Sequence, residues 1–353
     1  MARIDVLLPV RNGLPYLGAA IASIRRQSVR DWRLLILDHG STDGSREVAE
    51  RHADADRRIE VHDGAYTSGL AELLNFGLAR CDGRYVMRHD ADDLCLPDRM
   101  AQTMAGFAQH PGMAVISGQA ELIDASDARI GQLRLPIGSA RLTAASLFRN
   151  PISHPALTMD RAQIGRLGAQ YGRDFLGMLP DEQQPQVDGL AEDYLMFGQL
   201  ALLGLCVNLG RPLIRYRWHA ANVSSMRTRE QVRLSLRISR YLARAFCRIH
   251  ALPDFDPAPF CNHGGQLLDL PDGPDFDAQF HVIAGALRRG LGASSQLERE
   301  LRYRHTLARR SLPCMLLRYA HFRRQYPAET GEWLTLRSWL LRRLPGRALL
   351  KAA

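Results

Sequence analysis

Three acids fall within four residues at Asp90, Asp92 and Asp93, directly after the half-apolar run Tyr85-Val86-Met87 and the basic Arg88. Such a run reads as a short buried strand, which places the acids just past its carboxyl end. Clustered carboxylates repel one another and lose hydration on folding, so the grouping gains little without a shared cation. Hard oxygen ligands at this spacing suit Mg²⁺ or Mn²⁺, and such ions commonly carry a diphosphate. The competing reading is a solvated acidic turn that caps the next helix.

The segments upstream must position those acids. Ile4 to Val10 is a hydrophobic strand that ends in Arg11-Asn12-Gly13. Leu17, Ala20, Ile21 and Ile24 then recur at helical spacing, and Leu34 to Leu37 forms a second buried strand ending in Asp38-His39-Gly40-Ser41-Thr42-Asp43. Strand, helix, strand at this length predicts a right-handed βαβ unit with parallel strands. Its polar residues lie at strand carboxyl ends, where open α/β sheets bind ligands. Ser41 or Asp43 is a candidate cap for the helix running through Val48. In Ser68 to Leu78, Gly69 marks a turn or a close backbone approach to a ligand, and the remainder reads as a helix. Further on, Glu192-Asp193 opens an apolar helical run with Leu195, Leu200 and Leu203, and acids favour that position through the helix dipole.

Four pieces in order carry a resemblance: Leu8-Pro9-Val10-Arg11-Asn12; Leu37-Asp38-His39-Gly40-Ser41-Thr42-Asp43; Gly69 with Asn75 and Gly77; and Asp90-Ala91-Asp92-Asp93 followed by Pro97 and Arg99. Together they resemble the family 2 inverting glycosyltransferases of the GT-A fold, over roughly residues 1–226. The resemblance implies an α/β, Rossmann-like nucleotide-diphospho-sugar transferase domain. It implies that Pro9, Val10 and Asn12 line the nucleotide pocket and that Asp38 meets the base, expected to be the imide of uracil or thymine. Gly69, Asn75 and Arg88 join the donor site, Asp90 contacts ribose or sugar, and Asp92 holds Mg²⁺ or Mn²⁺. The family places an acid pair where Glu192 and Asp193 stand, so Asp193 is the expected general base toward an acceptor hydroxyl, with Glu192 the fallback. His154, in Arg149-Asn150-Pro151-Ile152-Ser153-His154-Pro155, falls in the acceptor region. Arg215-Tyr216-Arg217-Trp218-His219 resembles the segment that closes over the donor, which gives Arg217 the diphosphate charge and His219 a phosphate or the metal. Residues two apart point the same way in extended chain. The family often ends its second strand in two acids; here the second is His39, which leaves Asp38 to act alone. The residues also admit plainer readings: His154 as a hydrogen-bonded structural histidine, and Arg217 as a surface arginine beside a packed Tyr-Trp pair.

Composition fits an enzyme with a sizeable core: 353 residues, 46% hydrophobic. The expected division is residues 1–226 as the GT-A domain and 227–353 as a helical, arginine-rich extension. Six cysteines without paired spacing read as reduced residues, not as a disulfide or zinc framework. The first apolar run contains Pro9 and reads as a strand, not a signal sequence, and Leu200 to Val207 is too short to span a bilayer. These features predict a cytoplasmic protein. The net charge is +9, with a single lysine, Lys351.

Arg233, Arg237, Arg240, Arg244 and Arg248 follow three- and four-residue spacing and predict one basic helix face. Pro253 to Pro274 reads as a linker or long loop, and helical patterns return over Phe280–Leu291 and Leu297–Arg310. The tail sets Trp333, Leu336, Trp339, Leu340 and Leu344 beside Arg337, Arg342, Arg343 and Arg347. That composition suits a peripheral contact with an anionic membrane, at its inner face, or a packed helical subdomain. No nucleic-acid motif accompanies the charge, so nucleic acid is not an expected partner.

The expected function is inverting transfer of a sugar from a UDP or dTDP donor to a saccharide or lipid-linked acceptor in cell-surface glycan synthesis. The alternatives are a non-catalytic sugar-nucleotide binder or scaffold, and another nucleotide-using transferase. The second of these usually needs a glycine- and lysine/arginine-rich phosphate loop after the first strand, of which Arg11-Asn12-Gly13 is a fragment.

Overall fold

The computed structural model describes residues 3–219, 228–262, 276–307, 309, 311–329, 332, 335 and 336. Its nine strands are β1 (Ile4–Val10), β2 (Trp32–Asp38), β3 (Ile59–Asp63), β4 (Tyr85–Arg88), β5 (Leu94–Cys95), β6 (Val115–Ile123), β7 (Arg129–Leu133), β8 (Thr158–Asp160) and β9 (Cys206–Arg217). They form one mixed sheet in the order β3-β2-β1-β4-β8-β6-β9-β5, with β7 paired to β6. β3, β2, β1 and β4 are parallel, which the βαβ reading predicts for β1 and β2. β8 runs antiparallel to both β4 and β6.

β1 and β2 are nearly continuous apolar runs because both of their faces are covered, whereas the edge strand β3 is half polar and only partly buried. Their side chains alternate between two cores. Val6, Leu8, Leu34 and Ile36 pack with Leu17, Ile21 and Ile24 of α1 (Leu17–Arg25) and Ala49 of α2 (Ser45–Ala55). Leu7, Leu35 and Leu37 pack on the other face with Leu73 and Leu74 of α3 (Leu70–Leu78). Full burial of each such side chain contributes about 1.5–3 kcal/mol. α4 (Arg99–Gln109) lies on the first face through Met100 and Phe107. Pro9 sits inside β1, which is tolerated for a register reason. Pairing with β4 stops at Leu7, and Pro9 faces that side, so its missing N–H has no ladder bond to make.

The remaining helices are α5 (Ser139–Ser146), α6 (Arg161–Leu167), α7 (Glu192–Leu202), α8 (Thr228–Ile249), α9 (Asp277–Leu291), α10 (Ser295–Leu307) and α11 (Leu312–Gln325). A third core joins Ala144, Leu147, Tyr194 and Leu195 to Leu236, Ile238, Tyr241, Leu242, Phe246, Ile283, Leu287 and Leu301. The C-terminal helices therefore share apolar packing with α5 and α7. On α8 the five arginines from Arg233 to Arg248 are all exposed on one side, opposite that core. Arg240 pairs with Asp256 at 3.1 Å.

The linker reading of Pro253 to Pro274 needs correction for its first part. Ala258, Phe260 and Cys261 are buried in the third core, because the chain after α8 folds back onto it; residues 263–275 lie outside the described residues. The helix predicted through Val48 starts at Ser45 behind a left-handed Gly44, and no side chain caps Gly44. Asp43 instead accepts the Ser45 N–H and the Leu14 N–H, both at 3.0 Å. In the tail, Leu336 is fully buried with Tyr303, Leu307, Met315 and Phe322. Trp333, Trp339, Leu340, Leu344, Arg337, Arg342, Arg343 and Arg347 lie outside the described residues. Among the described residues no helix is long and apolar enough to cross a membrane.

Candidate active site

The carboxyl ends of β1, β2 and β4, the start of β8 and the end of β9 all reach one edge of the sheet. The first two are tied together by their loops. Asn12, in the left-handed region at φ 55°, accepts the Thr42 N–H through Oδ1 at 2.8 Å. Its own N–H reaches Ser41 Oγ at 3.0 Å. Asp38 is buried at the end of β2 and accepts the Ser41 N–H at 3.2 Å.

The acids after β4 converge: ligand oxygens of Asp90, Asp92 and Asp93 lie within 4.8 Å of one another. Arg88, itself buried, donates to the His89 carbonyl and to Asp90 Oδ1. Burial, then the charge of Asp90, raises the Asp92 carboxyl above its usual range, and Asp93 is raised further by the same two causes with Asp92 added. Asp93 Oδ1 accepts the Arg217 N–H at 2.8 Å, while its buried Oδ2 has no hydrogen-bond partner among the described residues. His219 Nε2 stands 2.9 Å from Asp92 Oδ2. Three hard carboxylates that repel one another, with one buried oxygen lacking a donor, fit a divalent cation of the Mg²⁺ or Mn²⁺ type.

The second acid pair opens α7 after Ala191, a non-glycine residue held at φ 58°. Backbone strain of this kind is retained where the surroundings over-determine it, often at functional positions. Glu192 is 4% exposed. Burial, then the neighbouring Asp193, pushes its carboxyl up to about 8. Asp193 is half-buried; burial raises it to about 6, Asp90 adds to the rise, and the Tyr194 N–H and Arg88 oppose it. Of the two carboxyls, Glu192 is the one pushed further toward its protonated form. Asp193 Oδ2 accepts from Asn150 Nδ2 at 2.8 Å. His154 Nδ1 is 4.0 Å from Glu192 Oε1, and its Nε2 is 3.1 Å from the Tyr171 hydroxyl. Burial, then Arg88, keeps His154 well below the usual histidine range and so neutral.

This arrangement has relatives of known class. Residues 5–162 match the family described as glycosyl transferase family 2. Over this segment the chain is similar to the family 2 glycosyltransferases. An uncharacterized glycosyltransferase of Haemophilus influenzae is 25% identical over 246 residues, 67% of this chain and 72% of its own length. The putative teichuronic acid biosynthesis glycosyltransferase TuaG of Bacillus subtilis is 33% identical over 101 residues. That match covers 29% of this chain and 40% of TuaG. The fold is of the GT-A type. Residues 1–349 of S. aureus TarS, solved with UDP-GlcNAc, superpose with a TM-score of 0.50 at 15% identity, covering 92% of this chain and 91% of that one.

Within this site, several residues expected at the donor make contacts with the protein itself. Gly69 has extended backbone, and a Cβ there would lie 2.6 Å from the Asp188 carbonyl. The close approach that requires glycine is therefore to protein backbone. Asn75 brackets Tyr171, donating to its carbonyl at 3.0 Å and accepting its N–H at 2.9 Å, so it sets Tyr171 in place instead of facing the donor. Arg217 is 1% exposed, not on the surface. Its Nε donates to the Asp92 carbonyl at 2.8 Å, Nη1 to the Asp124 carbonyl at 3.0 Å, and its guanidinium also pairs with Asp127. It braces the acid loop, which corrects the plainer reading of a surface arginine. Val10 is a core residue 3% exposed, so its wall toward a nucleotide is backbone. Arg217 and His219 both reach the acid loop and flank Tyr16, whose ring lies 4.3 Å from the Arg217 guanidinium and 5.3 Å from the His219 ring. Tyr16 and Tyr171 carry no motif signal, and Asn150 stands out in the sequence only as part of the segment around His154; tertiary contacts bring all three to the site.

Proposed function

We propose that the protein transfers a sugar, with inversion, from a nucleoside-diphosphate donor to an acceptor hydroxyl. The observation that carries this reading is the meeting of two acid groups at one sheet edge: Asp90, Asp92 and Asp93 after β4, and Glu192 with Asp193 at the start of α7. They are close enough for the charge of Asp90 to act on both Glu192 and Asp193. Asp38, Asn12 and the backbone at Pro9 and Val10 form the nucleoside side. Asp90 and Arg88 lie toward the sugar. Asp92 and His219 would hold Mg²⁺ or Mn²⁺, which when bound offsets the charge of the departing diphosphate. Asp193, the less raised of the two carboxyls, takes the acceptor proton as the acceptor oxygen attacks the anomeric carbon and the bond to the diphosphate oxygen breaks. One displacement inverts the centre, and no covalent enzyme intermediate is needed. Glu192 and neutral His154 line the acceptor side as hydrogen-bonding groups.

TuaG, named for teichuronic acid biosynthesis, supports a cell-surface saccharide or lipid-linked acceptor. The TarS structure makes UDP-GlcNAc the first donor to try, followed by other UDP and dTDP sugars. The division into residues 1–226 and 227–353 and a cytoplasmic location belong to the same proposal. So does peripheral contact with anionic membrane, which the exposed arginine face of α8 supports. Salt-sensitive sedimentation with acidic vesicles is expected, and its absence would remove the membrane element.

The test of the main reading is a melting-temperature screen of nucleotide sugars with and without Mn²⁺. A donor that binds only the folded state must raise the midpoint. The donor found is then assayed for transfer. Asp92→Ala is expected to lose the Mn²⁺-dependent shift and turnover while keeping its own cooperative unfolding. Undiminished turnover in excess chelator would refute the metal assignment.

A further inference from the structure

We infer that Asn150 is a positioning residue for the catalytic acid, and that it decides which member of the Glu192–Asp193 pair serves as the base. The inference rests on the proposed role of Asp193 and assigns a task to a residue to which sequence pattern alone assigns none.

The orientation of the Asn150 amide is fixed by what its oxygen does. Oδ1 accepts the Ile152 N–H at 3.1 Å, so Nδ2 must be the atom that faces Asp193 Oδ2 at 2.8 Å. A flipped amide would lose the first bond and set two oxygens against each other. The segment carrying Asn150 is held on both sides. Arg149 reaches Glu329 at 3.4 Å, and the Pro151 carbonyl accepts from Asn208 Nδ2 of β9 at 2.9 Å. The Ser153 carbonyl accepts from Ser117 Oγ at 3.3 Å. Asn150 thus presents a donor from a fixed frame, at little ordering cost.

Its effect is selective because the two acids are treated differently. Asp193 receives the Asn150 N–H and its own helix-start N–H from Tyr194, at 2.7 Å. Glu192 has no such side-chain donor nearby; its neighbour is neutral His154 at 4.0 Å. Donors that bond the ionised form favour it, and burial without donors disfavours it. The other groups that bear on Asp193 are Glu192, Asp90, Arg88 and Tyr171. None of them makes the short directional contact that Asn150 makes. Without Asn150 the proton that now sits on Glu192 is shared between the two carboxyls, and the base is no longer the acid that points at Asn150.

The test uses the full chain in three variants, Asn150→Ala, Asn150→Asp and Asp193→Asn. Carboxyl ¹³C NMR of aspartate-labelled protein follows each titration, and the resonance missing from Asp193→Asn is that of Asp193. Loss of a hydrogen bond to a charged group moves such a midpoint up by about one to two pH units. The expected order of midpoints is wild type, then Asn150→Ala, then Asn150→Asp, where a second carboxylate replaces the donor and the Ile152 bond is kept. The acid limb of the pH–rate profile, with the donor found above, should move up by the same amount. At pH 7 the Asn150→Ala rate should fall about 2- to 10-fold, as the ionised fraction of Asp193 falls, and recover at high pH. A purely structural role predicts equal losses at every pH and an unmoved Asp193 titration, and either result overturns the inference. Asn150→Asp keeps the size of the side chain, so it decides the matter if Asn150→Ala does not fold. If the titration shifts as expected but Asp193→Asn turns over normally, the assignment of the base fails while the Asn150–Asp193 coupling stands.

Discussion

At the scale of single residues, the site divides labour between like groups by giving them unlike surroundings. Asp193 is expected to be required as an ion. Asp193→Asn keeps the shape and removes the proton acceptor, which should cost about 10²–10⁴-fold in rate with donor affinity little changed. If Glu192→Gln is dead and Asp193→Asn is active, the roles within the pair are reversed. Because burial raises Asp193 to about 6, activity should climb as pH rises through that value. Glu192 gives a separate, stability-based expectation. Its carboxyl is held at about 8 when folded against an ordinary value of 4.5, so the native state binds more protons between those limits. Stability attributable to this group therefore falls as pH rises through the window. Glu192→Gln should flatten the decline of the melting temperature between about pH 5 and 8, and an unchanged slope would contradict the buried, protonated state.

At the scale of elements, loops that look independent in sequence are locked to one another. Asn75 on α3 holds the backbone of Tyr171, and Tyr171 holds His154 ahead of β8. Asn75→Ala leaves a buried N–H and carbonyl of Tyr171 without partners, at about 1–3 kcal/mol each. A drop in melting temperature is expected, with transfer reduced more than donor binding because the acceptor side loosens. Gly69→Ala drives a methyl group to 2.6 Å from the Asp188 carbonyl, and that contact is with backbone that cannot swing away. Overpacking of this kind costs about 1–3 kcal/mol, and the segment that leads to Ala191 and the acid pair must shift. Unaltered melting and turnover in the Gly69→Ala protein would show that the 188–189 segment is free to move.

At the scale of the whole molecule, a buried ionic network fastens the C-terminal helices to the rest of the protein. Glu300 of α10 meets Arg304 at 2.8 Å and Arg141 of α5 at 3.4 Å, and Arg141 also reaches Glu329. Glu332 pairs with Arg299 at 2.9 Å. Burial opposes the charge on Glu300, but Arg304 and Arg141 outweigh it and hold the carboxyl at about 2. A group depressed in this way contributes stability that is present above its ordinary value and lost as pH falls toward the folded one. Acid unfolding is therefore expected to draw on Glu300 between about pH 4.5 and 2. Glu300→Ala leaves buried Arg304 without its acid and Arg141 with Glu329 alone, and should cost about 3–5 kcal/mol by denaturant titration at neutral pH. A loss below about 1 kcal/mol would mean that water reaches the network and screens it.

The sequence by itself determined the parts that depend on local pattern. Apolar runs of strand length separated by helical spacing dictated the parallel β1–β2 unit, since such runs are stable only when both faces are covered. Three acids in four residues announced the loop after β4, and the three- and four-residue arginine spacing announced the exposed face of α8. Spacing could not say what a polar side chain would touch across the fold. Asn75 and Arg217 resembled donor residues, yet Tyr171 and the acid loop claim their hydrogen bonds through partners about a hundred residues away in the chain. Nor could it show that Glu192 and Asp193, adjacent acids of similar intrinsic strength, are raised to different extents. That difference comes from burial and from the donors each one meets, and both exist only once α7 has packed against the segment that carries Asn150.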